Sequence, residues 1–132
     1  MRLLLLACAG GAIGAGLRFL VNQAFAGPQV SGGLLAFPWA TLTVNVVGSF
    51  LMGVVIVLIG ERLGGSPEWR TFLATGILGG FTTFSAFSVD MLTLVTFEGV
   101  LGPRFLFYVF GSVLLGFAAL LAGLWLTRAV IA

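Results

Sequence analysis

Four intervals of this 132-residue chain run for the length of a bilayer crossing with almost no charge, and they leave little sequence for anything else. They give spans at 3–26, 37–60, 68–97 and 103–128. Each is near the roughly 20 residues needed to cross a hydrocarbon core at about 1.5 Å per residue. In hydrocarbon every backbone N–H and C=O must find its partner within the protein, which for segments of this length means helices. The links are tight: GPQVSGGLLAFP carries no charge, ERLGGSPEWR is the one markedly polar stretch, and EGVLGP is short. Ser66 and Pro67 in the second link read as the N-cap and first position of the third helix. The expectation is an all-α integral membrane protein, one four-span domain over residues 1–132, with neighbouring helices antiparallel and both termini on one side.

Composition agrees. Sixty per cent of residues are hydrophobic and 8 % are charged, with a mean hydropathy of +1.21, well outside the soluble range. The basic residues are Arg2, Arg18, Arg62, Arg70, Arg104 and Arg128, and the acids are Glu61, Glu68, Asp90 and Glu98. So few charges argue against a nucleic-acid partner and read as interface anchors and topology signals. The arginines lie more on the terminal side, which favours cytoplasmic termini by a modest margin, compatible with fixed or dual insertion. Histidine is absent, which removes the commonest general base and metal ligand. The lone Cys8 reads as a buried small residue. The basic, apolar start resembles a signal peptide, but the hydrophobic run continues past Arg18, so it reads as a retained first span.

The third span is not an ordinary crossing. Residues 75–88 read TGILGGFTTFSAFS, with paired glycines, neighbouring hydroxyls and three phenylalanines. Glycine weakens a helix, and Ser and Thr satisfy the groups that a break exposes, so a break is expected over 79–83, lining an internal site. Carbonyls freed near Gly79 and Thr82 are oxygen ligands suited to a cation, and two copies meeting there would complete a shell that one chain lacks. Glycines such as Gly10, Gly14, Gly48 and Gly53 are expected mainly to let helices approach closely.

Several polar groups fall within the spans. Thr41 and Asn45 share a face of the second helix, and the Asn45 amide has donors for an anion or for another helix. Tyr108 and Ser112 repeat the four-residue spacing on the fourth helix, as a hydroxyl track or, for Tyr108, as an interfacial aromatic. Phe84 and Phe87 are three apart beyond the break. As a pair they suit packing or, through their positive ring edges, attraction of a small anion. Arg18 lies too deep for a simple end anchor, and with Asp90 it outlines a candidate pore vestibule.

The segments GGAIGAGLRF at 10–19, PWATLTVNVVGSFLMG at 38–53 and TGILGGFTTFSAFSVD at 75–90, with Tyr108 and Ser112, resemble the small fluoride channels of the Fluc, or CrcB, family. The resemblance covers most of the chain and all four helices. It implies a dual-topology, antiparallel homodimer in the bacterial cytoplasmic (inner) membrane. Each dimer would carry two passive fluoride pores and a structural sodium ion at its interface. It further implies that Gly79 and Thr82 give backbone carbonyls to sodium and that Phe84 and Phe87 turn ring edges to fluoride. Asn45 would support the aromatic pair, Tyr108 and Ser112 would form the polar track, Thr41 would belong to the pore-side surface, and Arg18 would lie near a pore mouth. Two positions depart from the family pattern: Asp90 stands where Glu is usual, and Ala86 where Thr is frequent.

Two other classes compete. A small multidrug or cation exchanger has a similar size, but proton-coupled exchange needs an acid in the first span, which carries Arg18 and no acid. A noncatalytic packing subunit of a membrane complex would also be rich in glycine. An enzyme is not expected, because no nucleophile and base pair is apparent.

Overall fold

The computed structural model describes residues 1–25 and 37–131. Most of the first link, and residue 26 of the first predicted span, lie outside them. All regular structure among the described residues is helical. The first helix is Arg2–Phe25, the second Trp39–Glu61 and the fourth Pro103–Ile131. The third span, Pro67–Glu98, is composite. All four are long and apolar enough to cross a membrane.

Local chemistry sets the ends. Ser66 Oγ accepts from the Trp69 N–H at 3.4 Å with Pro67 at the first position, as the sequence predicts. Pro103 opens the fourth helix, where its missing N–H costs nothing. Gly99 closes the third span with φ +79°, a conformation that glycine adopts without strain.

Close pairing joins the first helix to the proximal half of the third span, and the second helix to the fourth. Glycines make both approaches possible. A methyl on Gly10 would stand 2.9 Å from the Gly76 Cα, and one on Gly14 would strike the Ile77 carbonyl. At the other seam, Gly53 backs onto the Leu120 carbonyl and Gly123 onto that of Phe50. Residue numbers rise together across the first seam, and across the second from Ser49 against Gly116 to Gly53 against Leu124, so each pair runs parallel, as alternate crossings must. Between lipid-soluble helices there is no hydrophobic drive to associate, and this backbone-to-backbone contact supplies the attraction.

The proximal half holds the main surprise. After one α-turn, Pro67–Trp69, the stretch Arg70–Leu78 is π-helical, and the Gly79 N–H reaches back five residues to the Ala74 carbonyl. Gly79–Phe81 then returns to α geometry. The expected break over 79–83 is therefore narrower and later. Gly79 is helical at φ −64°, ψ −36°, and only Thr82 (φ −77°, ψ 158°) and Thr83 (φ −152°, ψ 120°) are extended. Glycine is used here for proximity rather than for turning, since Gly80 backs onto the Gly11 carbonyl. A distal α-helix, Phe84–Glu98, completes the span.

The described core is a cluster of Phe37, Leu42, Phe87, Leu94 and Tyr108 between the distal half, the second helix and the fourth. Large apolar side chains cover the outside, as a lipid-facing surface requires. Cys8 is among the exposed residues rather than buried as expected.

Candidate ion pathway

The break is organised by one side chain. Asn45 Oδ1 accepts from the Thr83 N–H at 2.8 Å, and Asn45 Nδ2 donates to the Thr83 carbonyl at 3.1 Å. The amide thus pairs with the extended Thr83 as a neighbouring strand would, which stabilises a non-helical residue at membrane depth. Thr83 in turn caps the distal helix, its Oγ1 accepting from the Ala86 N–H at 3.1 Å. Of the two uses open to Asn45, helix-to-helix bonding is occupied, and one N–H is left over.

These bonds divert two amides. The Thr83 N–H would otherwise close on the Gly79 carbonyl, and the Ala86 N–H on that of Thr82. The predicted cation ligands are therefore the carbonyls whose i+4 donors have gone elsewhere. The Gly79 carbonyl lies within a helical turn, and that of Thr82 on extended backbone.

Beyond the break the aromatic residues form a chain. Phe84 and Phe87 have ring centroids 5.7 Å apart, Phe87 and Tyr108 5.1 Å, and Tyr108 meets Phe37 edge-on at 5.5 Å. The two phenylalanines differ sharply in environment, with Phe87 8 % exposed and Phe84 78 %. Tyr108 is fully buried, and its hydroxyl donates to Asp90 Oδ2 at 2.9 Å. Thr41 is buried as well, with its hydroxyl beside that of Tyr108.

Five hydroxyls in the spans are satisfied by backbone of their own segment. Thr82, Ser88, Thr93, Thr96 and Thr127 all donate to the carbonyl four residues back. Ser112 differs: its Oγ is inaccessible from the surface and has no hydrogen-bond partner. It lines a cavity of about 130 Å³ with Asn45, Phe84, Phe87 and Val113. A second cavity, of about 360 Å³, shares Asn45 and Phe84 and adds Gly48, Ser49, Thr82 and Thr83. Asn45 and Phe84 stand at the boundary between the two.

The structure thus brings Asn45, Phe84, Phe87 and Ser112 to one cavity, and gathers Thr41, Asp90 and Tyr108 beside it. It does not join Arg18 to Asp90. Arg18 is half-buried on the same helical stripe as Gly10 and Gly14, and Asp90 is engaged by Tyr108. Thr83 was missed as a site residue, although a hydroxyl one position before a helical run is a readable N-cap signal.

Comparison with known proteins follows the same segments. The family described as "CrcB-like protein, Camphor Resistance (CrcB)" matches residues 5–124. The chain belongs to the CrcB family. Relatives named fluoride-specific ion channel FluC include that of Agrobacterium fabrum, 48 % identical over 93 % of this chain and 94 % of its own length. That of Mesorhizobium japonicum is 48 % identical over 96 % and 97 %, and that of Rhodospirillum centenum 45 % identical over the full length of both. CrcB proteins of this kind are channels rather than enzymes, and this member is a multi-pass membrane protein with four spans.

Proposed function

We propose that this CrcB-family chain is a passive, fluoride-selective channel that exports cytoplasmic fluoride. It acts as an antiparallel homodimer with two pores in the bacterial cytoplasmic membrane. The observation that carries this reading is the buried, unpartnered Ser112 hydroxyl in a cavity edged by Phe84 and Phe87. A buried donor without a partner is costly, more so where water is scarce, and a permeating anion would satisfy it. The names of close relatives supply the identity of the anion.

Fluoride is small and strongly hydrated, so a narrow passage must replace its water with donors that do not hold it too tightly. The spare Asn45 N–H, the Ser112 O–H and phenyl edges are each weak, and together they are distributed along a path. None of the described residues that line this cavity carries a positive charge, so no deep well would trap the ion. Export needs no energy source, because HF enters neutral from acid surroundings, dissociates inside, and leaves fluoride to run down its electrochemical gradient.

A second copy completes the arrangement. Phe84 projects outward, and the cavity of about 360 Å³ at the break carries polar groups that lipid would leave unsatisfied. The carbonyls of Gly79 and Thr82, freed by the diverted amides, fit a sodium ion, which favours oxygen ligands. When bound, that ion supplies positive charge that holds the broken segments of two copies together.

Purified protein in liposomes should release fluoride rapidly and largely reject chloride. Ser112→Ala should lower fluoride flux by about tenfold, the loss of one effective donor, without lowering the unfolding midpoint, since no protein bond is removed. Equal permeation by chloride and fluoride would sink the selectivity reading, and unchanged flux in Ser112→Ala would remove this hydroxyl from the path.

A further inference from the structure

At the terminal end of the molecule, away from the aromatic chain, a groove of about 400 Å³ lies between the second helix and the proximal half of the third span. Met52, Ile56 and Ile59 line one side, and Ala74 and Arg70 the other. From Met52 to Ile59 the apolar strip is about 10 Å long at the helical rise, a third of a hydrocarbon core. Arg70 heads the groove beside Trp69, which is 47 % exposed. An exposed Trp at a span end marks headgroup depth.

Arg70 and Arg18 stand apart from the other four arginines. Arg2 pairs with Glu68, Arg104 with Glu98 and Arg128 with Glu61, while Arg62 donates to the Ile131 carbonyl. Among the described residues these two have neither an ion pair nor a side-chain hydrogen bond, and of the two it is Arg70 that heads this groove, which is otherwise lined by apolar side chains and glycines. Every acid in the chain is engaged, Asp90 by Tyr108 and the other three by arginines. A second copy laid over the groove would therefore bring Arg70 only side-chain carboxylates that already have a partner in their own chain.

We propose that this groove binds an anionic glycerophospholipid, with its phosphate on Arg70 and one acyl chain along Ile59, Ile56 and Met52. Guanidinium presents a planar fork that matches phosphate oxygens, and the strip below it takes the upper part of a chain. Met52 also lines the cavity at the break, so the lipid would seal the groove that leads toward that cavity from the membrane side. The inference does not depend on which ion the channel conducts.

The full chain in neutral detergent, titrated with phosphatidylglycerol or phosphatidylcholine of identical acyl chains and read by native mass spectrometry, tests this directly. Phosphatidylglycerol should be retained about tenfold more tightly, as a charge-assisted contact implies. Arg70→Gln should erase that preference, and Arg70→Lys should keep part of it. Ala74→Phe, which fills the groove but leaves the charge, should weaken both lipids. Equal retention of the two lipids by the native chain would overturn the proposal, as would a preference that survives Arg70→Gln. Glycerol phosphate competing as well as the whole lipid would show a bare anion site and overturn it too. So would Ala74→Phe dissociating dimers while leaving lipid retention untouched, because the groove would then be covered by the second copy.

Discussion

The two halves of the third span come from one continuous apolar stretch, yet they are held in opposite ways. The proximal half lies backbone to backbone on the first helix through Gly76 and Gly80 against Gly10 and Gly11, with no side chain between them. The distal half leaves Phe84, Val89, Leu92 and Phe97 more than 60 % exposed. It is fixed at separate points: Thr83 by Asn45, Phe87 and Asp90 by Tyr108, and Glu98 by Arg104. One half is scaffold. The other carries the ring pair and presents an outer face that the proposed second copy would cover.

If that division is right, the most damaging change lies in the scaffold. Gly14→Leu would drive a side chain into the Ile77 carbonyl and the Phe81 amide, backbone atoms that cannot swing aside. The expected loss is about 3 kcal/mol or more, at the upper end for overpacking. Unfolding in detergent should show it, and little folded protein should survive. Gly16→Ala on the same helix, where an added methyl meets nothing within 4 Å, should cost nothing. Equal damage from both would mean that the glycine seam is not what holds the first helix.

Asn45→Ala comes next. It removes two bonds to Thr83 and leaves a buried N–H and C=O unpaired, for a loss of about 3 kcal/mol. Fluoride flux should be abolished, since Asn45 also borders both cavities. Retained flux with intact stability would show that the break persists without its partner.

The ring pair separates folding from conduction. Phe87→Ala empties a buried site and should cost about 3 kcal/mol. Phe84→Ala removes a ring that is 78 % exposed in one chain and should cost the isolated fold well under 1 kcal/mol, yet both should reduce flux strongly. The measurement pairs unfolding of monomeric protein with liposome flux. If Phe84→Ala destabilises the monomer as much as Phe87→Ala, the outward face is not free.

How much of this was readable depends on whether the cause is local. The spans follow from charge-free length, and the cap at Ser66 from residues beside it. Thr41 and Asn45 share a face because the helical repeat says so. The exact break was not readable, because what turns Thr83 out of the helix is Asn45, 38 residues earlier in sequence. Gly79 looked like the start of the break because glycine permits both a turn and a close approach, and only the position of the first helix decides between them. The π-helical stretch left no sequence mark either. Ser112 looked like any other hydroxyl, and it became distinctive only when the packing of the helices left its Oγ buried without a partner.

The smallest expected effect is at the far end of the distal half. Glu98 bonds the Arg104 N–H at 3.2 Å and pairs with its guanidinium, across a turn closed by Gly99 and Gly102. Arg104 is 39 % exposed, so solvent screens the pair and its loss is worth about 1 kcal/mol or less. Glu98→Gln keeps an acceptor for the backbone amide and should cost less than Glu98→Ala. Both should leave flux within about twofold of the parent, because the ring pair is already positioned by Asn45 and Tyr108 three turns away. Should Glu98→Ala instead match Asn45→Ala in stability and flux, the distal half would be anchored from its turn rather than from the break. The scaffold would then have to be extended to the fourth helix.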